Sequence, residues 1–513
     1  MSNKMAIRKI ALLSCAAACL AVVPTAASAS TTYTTVNANW IGGTGDWTDA
    51  YDWSTNPNAP DNGTPIDSVY DVAINSSRTG PYTVTLNTSV NVDNVTLDNT
   101  DATLSLQGGT LDLAQRDNGG TSGTLTLQAG AVFLGNVNVA TGTITGGKIE
   151  NGTLSETTST TGAPYFNVID GTLQNVTLGS DLQVGATGLA ASLTIANTAT
   201  NAVGLDPNGH AIDLGYGANL VFSDALDTTT NSYVGQKYGG TINFVSGNID
   251  GGQIFNFTGA LNVGGAGSGG EITGQNFTNT GTIKIGADYT YTSLVENAAN
   301  FTNSGTIGVY YQSNSSDGSL NMNGIWTNTT TGIIQSFTSG AIFTFNGTWS
   351  NAGSMIFQAG DTVLLGGNFH AADAGLSASG SNGTFTPNGA TVYITGVLDN
   401  TGNTLTFDST TGHWILQGAL PADGTIKNGT LIDTLDSSGN PYLSFLNGGT
   451  LQNVTLGADW TINGGANPIV TNSVDNSTGL IAAGHAINLV GSTTTGPTLH
   501  FADAVDSIVG QRL

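Results

Sequence analysis

Phe277-Thr278-Asn279-Thr280-Gly281 begins a pattern that returns along the chain: an aromatic residue or leucine, a polar residue, an asparagine, a variable residue and a glycine. Further copies are Phe301-Thr302-Asn303-Ser304-Gly305, Trp349-Ser350-Asn351-Ala352-Gly353 and Leu398-Asp399-Asn400-Thr401-Gly402, and a copy with a two-residue insertion begins Trp326-Thr327-Asn328. The asparagines are 24, 25, 23 and 49 residues apart. Because the last gap is two periods, the pattern indicates a structural repeat of about 24 residues.

A repeat of this length accommodates three short strands and three turns, which form one coil of a parallel β-solenoid. Such a coil buries its inward side chains only against the coils above and below it. Equivalent residues should then stack at the strand spacing of about 4.8 Å. The predicted columns are Phe277, Phe301, Trp326 and Trp349 in one, and Asn279, Asn303, Asn328 and Asn351 in its neighbour. The asparagines either pass amide hydrogen bonds along their column or occupy left-handed turn positions.

Alternation of apolar and hydroxyl side chains predicts short strands with one buried face at 82–86, 95–97, 103–106 and 124–127. Each run is followed within a few residues by Gly, Asn or Asp, which favour turns. The chain has 72 glycines, 9% charged residues and 39% hydrophobic residues, and the hydrophobic residues alternate with polar ones. This pattern excludes a helical domain and a disordered chain, so the fold class is all-β.

The first 29 residues resemble a secretory signal peptide, with Lys4, Arg8 and Lys9 before an apolar stretch and cleavage expected after Ala29. A membrane anchor is the weaker alternative, because the apolar run is shorter than the roughly 20 residues of a spanning helix. Both cysteines lie in this leader, so the mature chain has no disulfide. Its charge of 7 − 35 = −28 excludes nucleic acid as a partner and disfavours anionic polysaccharides.

The sequence divides into the leader at 1–29, a Trp-rich cap with the first coils at 30–80, and a solenoid at 81–513. Within the solenoid, about 147–244 is related to 424–513: GTLQNVTLG occurs at 171–179 and at 449–457, and Gly-His-Ala-Ile occurs at 209–212 and at 484–487. The second copy stops at Leu513, before its counterpart of 238–244. We therefore expect the chain to be a fragment that ends inside a module; the alternative is that a partner covers this edge.

The segments FTNTGTI, FTNSGTI and WSNAGSM, together with Trp40-Ile41-Gly42-Gly43-Thr44-Gly45-Asp46-Trp47, carry a family resemblance. The chain resembles β-helical autotransporter passengers, filamentous-haemagglutinin-like proteins and autotransporter-associated repeat proteins of Gram-negative bacterial surfaces. The resemblance covers almost all of the mature chain and is mainly compositional. It implies a right-handed parallel β-helix, a location outside the cell or at its outer membrane, and a role in adhesion, aggregation or matrix building.

Enzymes also use parallel β-helices, and each class of enzyme needs particular catalytic residues. A lyase of acidic sugars needs clustered Arg or Lys beside calcium-binding aspartates. The basic residues of the mature chain are instead dispersed: Arg78, Arg116, Arg512, Lys148, Lys237, Lys284 and Lys427. The histidines His210, His370, His413, His485 and His500 show no metal-ligand spacing, and His210 and His485 are one duplicated position, interpreted as a structural residue near a turn.

We therefore predict no catalytic residue, no cofactor and no dedicated metal site, although surface aspartates could bind Ca²⁺ weakly. The predicted function is an extracellular structural or adhesive rod whose partners are glycans or a host or matrix surface, with no membrane-spanning segment in the mature chain. The alternative is a carbohydrate-active β-helix enzyme acting on a neutral glycan. Three or more carboxylates in one groove would favour the enzyme, and a uniform surface would favour the adhesin.

Aromatic residues near the start of the mature chain form the one candidate contact for sugars. Trp40, Trp47 and Trp53, with Tyr51 between them, could stack on sugar rings. The preferred interpretation is that they plug the open end of the first coil, where they would exclude water from the core and block the addition of another strand.

Overall fold

The computed structural model describes residues 33–503 except 98, 100, 107–110, 116–120, 123, 129–131, 135–136, 140, 152, 157–165, 186–190, 265–267, 287–291, 311–317, 377–382, 419–423 and 492–495. The predicted leader at 1–29 and residues 504–513 lie outside the described residues, as does Arg116. Among the residues that are described, no helix has the length and apolar character needed to cross a membrane.

The described residues form β-strands and one 3₁₀ helix, Ala50–Asp52. The strands up to residue 156 are Thr34–Asn39, Gly45–Asp46, Ser68–Ile74, Tyr82–Leu86, Val90–Val92, Asn94–Leu97, Ala102–Leu106, Leu111–Gln115, Thr121–Ser122, Thr124–Gln128, Val132–Leu134, Val137–Val139, Thr141–Glu150 and Thr153–Glu156. From 166 to 303 they are Phe166–Gln174, Val176–Leu178, Leu182–Val184, Ser192–Ala196, Leu205–Asp206, Ala211–Leu214, Ala218–Ser223, Ala225–Asp227, Ser232–Val234, Gln236–Tyr238, Thr241–Phe244, Gly247–Asp250, Phe255–Phe257, Ala260–Val263, Ser268–Thr273, Asn276–Asn279, Thr282–Ile285, Thr292–Glu296 and Asn300–Asn303. From 306 onwards they are Thr306–Val309, Ser319–Met322, Ile325–Asn328, Ile333–Ser336, Ile342–Phe345, Thr348–Asn351, Ser354–Ile356, Thr362–Leu365, Asn368–His370, Thr384–Thr386, Thr391–Ile394, Val397–Asp399, Thr404–Phe407, Trp414–Gln417, Thr425–Lys427, Thr430–Asp433, Leu443–Leu446, Thr450–Gln452, Val454–Leu456, Trp460–Asn463, Ile469–Thr471, Leu480–Ile481, Ile487–Val490 and His500–Ala502.

These strands wind into a parallel β-solenoid with about 25 residues per turn. One turn runs through Asn276–Asn279, Thr282–Ile285 and Thr292–Glu296, and the chain then returns to Asn300–Asn303, which pairs in parallel with the first strand of the turn. One column of the solenoid is a sheet of 12 parallel strands, from Gln236–Tyr238 to His500–Ala502. The prediction of a parallel solenoid with a period near 24 residues is confirmed.

The alternating pattern along each strand places every second side chain inside the solenoid. Ile283, Ile307, Ile334 and Met355 occupy one inward column, in register from turn to turn, and all four are buried. Burying an aliphatic side chain of this size stabilises the fold by about 1.5–3 kcal/mol. Each side chain in the column packs on the turns before and after it, so a single turn could not form this core alone.

The aromatic column predicted from the repeat is present. Phe277, Phe301, Trp326 and Trp349 are in register on successive parallel strands. The rings of Trp326 and Trp349 are stacked with 5.0 Å between their centroids and 3° between their planes. Phe369 extends the column by one turn, with its centroid 4.5 Å from that of Trp349.

The asparagine column is also confirmed, and the geometry decides between its two interpretations. Nδ2 of Asn279 donates to Oδ1 of Asn303 at 2.8 Å, Asn303 donates to Asn328 at 2.8 Å, and Asn328 donates to Asn351 at 2.7 Å. None of these four described asparagines has a positive φ angle. The side chains therefore form a buried ladder of amide hydrogen bonds, which satisfies polar groups that have no access to water.

Other asparagines follow the second interpretation and occupy left-handed turns. In the first copy of the long repeat, Asn151 and Asn175 have φ angles of 54° and 53°. Their counterparts in the second copy, Asn428 and Asn453, have φ angles of 63° and 54°. Asparagine tolerates this conformation better than most residues, because its short polar side chain forms local hydrogen bonds. Asn428 directly follows Lys427, which pairs with Asp399, so Asn428 and Asn400 occupy the same position of the coil, and that position accepts either conformation.

Candidate functional site

The three tryptophans at the start of the solenoid form a buried cluster. The exposed fractions are 1% for Trp40 and 0% for both Trp47 and Trp53. Trp53 packs edge-on against the other two, with centroids 4.9 and 4.8 Å away. Each indole N–H donates to a backbone carbonyl, those of Gly43, Pro60 and Trp47 respectively. This burial favours the plug over the sugar-stacking interpretation, because the indole faces are covered by protein.

A groove lies on the face formed by the 12-stranded sheet, and its volume is about 390 Å³. On this face the residue after each inward aromatic residue points outward. The groove is lined by Ile325, Trp326, Thr327, Thr348, Trp349, Ser350, Asn368, Phe369, His370, Asp373, Val397, Asp399 and Lys427. His370, Asp399 and Lys427 are paired in register on three successive strands, so one column of the groove carries a histidine, a carboxylate and an amine.

Asp399 is held in place by the turn that follows its strand. Its Oδ1 accepts hydrogen bonds from the backbone N–H of Thr401 at 3.0 Å, from Oγ1 of Thr401 at 2.6 Å, and from Nδ2 of Asn428 at 3.1 Å. Burial raises the pKa of Asp399, but hydrogen bonds from Thr401, Asn428 and Lys427 outweigh this effect and lower the pKa to about 2. The carboxylate is therefore a fixed anion at any physiological pH.

The second oxygen of Asp399 connects the other two side chains of the column. Oδ2 lies 3.2 Å from Nζ of Lys427 and 3.9 Å from Nε2 of His370. Among the ion pairs between described residues, only Asp399 has two basic partners. A carboxylate oxygen beside an ammonium and an imidazole offers one acceptor and several donors, which is the chemistry that recognises hydroxyl groups.

The carboxyl groups with a strongly raised pKa lie elsewhere, inside the solenoid. Burial raises the pKa of Glu296 to about 8 and that of Asp433 to about 7. Both side chains are buried, and neither lines the groove. A general acid needs a raised pKa and access to the substrate. In the described part of the chain, the groove has two carboxylates, Asp373 and Asp399, which is fewer than the three that would favour an enzyme.

The duplicated Gly-His-Ala segments have the same contact in both copies. Nδ1 of His210 lies 3.3 Å from Oδ1 of Asp181, and Nδ1 of His485 lies 3.4 Å from Oδ1 of Asp459. The same aspartate oxygens accept the backbone N–H of Ala211 and of Ala486, at 2.9 Å in each case. The aspartate thus fixes the start of the strand in the next turn. This geometry supports the interpretation of the histidine as a structural residue.

No cluster of three or more His, Cys, Asp or Glu side chains that could hold a metal ion occurs within the described ranges. His413 forms an exposed pair with Asp436, with 3.7 Å between Nε2 and Oδ2, and its ring stacks on Tyr442. Predicted Ca²⁺ binding at surface aspartates stays a prediction.

The sequence contains a signal for the groove that was not recognised from the repeat. The gap of 49 residues between Asn351 and Asn400 spans two turns, and the intervening turn has Phe369-His370-Ala371, with alanine in place of asparagine. Aligning Phe369 with Leu398 places His370 beside Asp399, as the strand pairing does. Because this turn lacks the asparagine, the repeat pattern does not reveal it.

No protein-family model matches this chain, and no curated protein or solved structure is significantly similar to it. The function therefore has to be inferred from the solenoid and its surface.

Proposed function

We propose that this protein is a non-enzymatic, extracellular structural and adhesive rod. The observation that carries the proposal is the column of 12 parallel strands, whose core and amide ladder continue from turn to turn. A solenoid of stacked turns is stiff, because each turn packs on both neighbours. At about 4.8 Å per turn, the roughly 13 turns of the solenoid give a rod of about 60 Å.

The surface chemistry supports adhesion to uncharged partners. Outward positions of the strands carry mainly Thr, Ser and Asn, as in Asn276–Asn279 and Thr348–Asn351. These side chains present hydroxyl and amide groups at the regular spacing of the strands. The mature charge of −28 repels anionic partners and keeps the rod soluble.

The proposed location is outside the cell, with the outer surface of a Gram-negative bacterium as the place of action. Residues 1–29 support export, because they have the order of basic, apolar and small residues of a signal peptide. To test this, the full chain is expressed in a Gram-negative host with its own leader. We expect a product that begins at Ser30 by mass spectrometry and that external protease can reach. A cytoplasmic product that retains Met1 would contradict export.

Adhesion is tested with beads that carry the exported protein and are passed over surfaces coated with neutral glycans or matrix proteins. We expect more beads to be retained than beads coated with an unrelated acidic protein. Equal retention on every surface would contradict the adhesive role.

The second candidate function is a carbohydrate-active enzyme, and the observation that bears on it is the pair of aspartates in the groove. With a pKa of about 2, Asp399 could act as a base or nucleophile, but it does not hold the proton that a general acid transfers. Release of reducing ends from neutral polysaccharides would favour this candidate, provided that the double variant Asp373→Asn, Asp399→Asn abolishes it.

A further inference from the structure

The two oxygens of Asp399 have different roles. Oδ1 accepts three hydrogen bonds from its own turn and from Asn428, so it is occupied. Oδ2 faces Lys427 and His370 across the sheet. Oδ2 has two lone pairs, and the ammonium of Lys427 has three donors. Oδ2 and Nζ can therefore bind a further polar group together.

In the column beside this polar one, Ile325, Thr348, Asn368 and Val397 are in register on successive strands, so an aliphatic residue stands at each end and two polar residues lie between. Ile325 is 55% exposed, and Val397 is half-buried in the strand that carries Asp399. The rings of Trp326, Trp349 and Phe369 lie beneath the groove and are buried. Val397 thus offers aliphatic surface next to Asp399, and hydroxyl, amide and charged groups lie around it.

We propose that this groove is a binding site for a neutral saccharide, and the proposal rests on the adhesive function stated above. One sugar hydroxyl donates to Oδ2 of Asp399, and the neighbouring sugar hydroxyl accepts from Nζ of Lys427. The imidazole of His370 lies beside the sugar ring. The C–H face of the sugar lies on Val397, in the same strand as Asp399. The groove volume of about 390 Å³ is within the usual range of small-ligand sites.

Two features favour an uncharged sugar and a preformed site. The mature chain carries a charge of −28, and Asp399 itself is an anion, so a uronate or sulfated sugar would be repelled. Asp399 is already fixed by Thr401 and Asn428 before any ligand arrives. Binding therefore loses little side-chain entropy at its central contact.

The test uses the exported protein and a panel of neutral oligosaccharides of glucose, galactose, mannose and N-acetylglucosamine. Oligogalacturonate is included as the anionic comparison. Binding is measured by array and then by titration calorimetry. We expect at least one neutral oligosaccharide to bind, and Lys427→Met and Asp399→Asn to weaken it at least tenfold. His370→Ala should also weaken binding.

His413→Ala is the matched control. His413 is 56% exposed and His370 is 55% exposed, and each lies within 4 Å of one aspartate, but His413 does not line the groove. Its substitution should leave binding unchanged, and circular dichroism should show that all variants remain folded. Binding of oligogalacturonate alone, or equal affinity in all groove variants, would overturn the proposal.

The groove and the adhesive function can fail separately. If beads adhere to a neutral glycan surface and the groove variants adhere equally well, the groove is not the site, and adhesion stands. If the soluble oligosaccharide binds and the variants abolish binding, while no surface retains the beads, the groove stands and the adhesive role fails.

Discussion

Asn303 donates a hydrogen bond from Nδ2 to Oδ1 of Asn328 at 2.8 Å, and both side chains are completely buried. Asn328 repeats the same contact with Asn351 one turn later. Because each amide has a donor and an acceptor at opposite sides, a stack of identical residues satisfies itself along the solenoid axis. A buried polar group without a partner costs about 1–3 kcal/mol, so the ladder also selects the register of the turns.

Replacing the central amide of the ladder should destabilise the protein. Asn328→Ala removes the shortest hydrogen bond of Asn303 Nδ2 and the hydrogen bond that Asn351 Oδ1 accepts in the ladder. We expect the free energy of unfolding to fall by about 2 kcal/mol or more, measured by urea denaturation. The control is Asn300→Ala, which removes an exposed amide contact with Asn276 of 3.2 Å. Equal denaturation midpoints for the two variants would show that the ladder does not stabilise the fold.

A glycine column marks the closest approach of successive turns. Gly347 has a φ of 75°, and a Cβ atom there would collide with backbone atoms of Gly324. Gly412 has a φ of 74°, but a Cβ atom there would meet nothing within 4 Å. Gly412→Ala should cost about 1 kcal/mol from backbone strain alone. Gly347→Ala should lower the thermal midpoint more than Gly412→Ala does, because the neighbouring turn must move. Equal falls in the thermal midpoint of the two variants would contradict close stacking of the turns.

Stability should depend on pH through the buried carboxyl of Glu296. This side chain is 1% exposed, and burial raises its pKa from 4.5 to about 8, although its Oε1 accepts the N–H of Ala298. Between these values the unfolded chain has lost the proton and the folded chain retains it. The free energy of unfolding therefore falls as pH rises from about 4.5 to 8. Asp433 acts in the same direction, with a pKa raised to about 7.

Glu296→Gln tests this dependence, because the amide cannot ionise. Urea denaturation at pH 5 and pH 8 should show a smaller loss of stability on raising the pH than in the unsubstituted protein. Asp475→Asn removes one charge at an exposed side chain and should leave the loss unchanged. A pH dependence that is the same in the Glu296 variant and the unsubstituted protein would refute the assignment.

The tryptophan cluster should protect the start of the core. Trp47→Ala removes a buried ring and its hydrogen bond to the Pro60 carbonyl. We expect a loss of about 3–5 kcal/mol, together with stronger binding of a dye specific for exposed apolar surface. Tyr51→Ala, at a side chain that is 81% exposed, is the control and should change neither measurement. A Trp47 variant with unchanged dye binding would exclude the plug.

The candidate site shows where reading the sequence falls short. Asp399 belongs to a recognised repeat, whereas His370 lies in a turn that lacks the asparagine, and Lys427 follows 28 residues after Asp399 in a turn of irregular length. A constant period places none of these residues beside another. The contact among these three side chains depends on the number of residues in the loops of each turn. The strand pairing determines that number.

The sequence alone determined the architecture: repeated inward residues every two dozen positions specify parallel turns, because only equivalent residues stack in register. The repeat also specifies the aromatic and asparagine columns. Only the tertiary structure decided which asparagines form the buried ladder and which adopt left-handed turns, since both uses suit the same residue type. It likewise decided that Trp40, Trp47 and Trp53 face inward and that His370, Asp399 and Lys427 share one groove, because these facts depend on contacts between turns that vary in length.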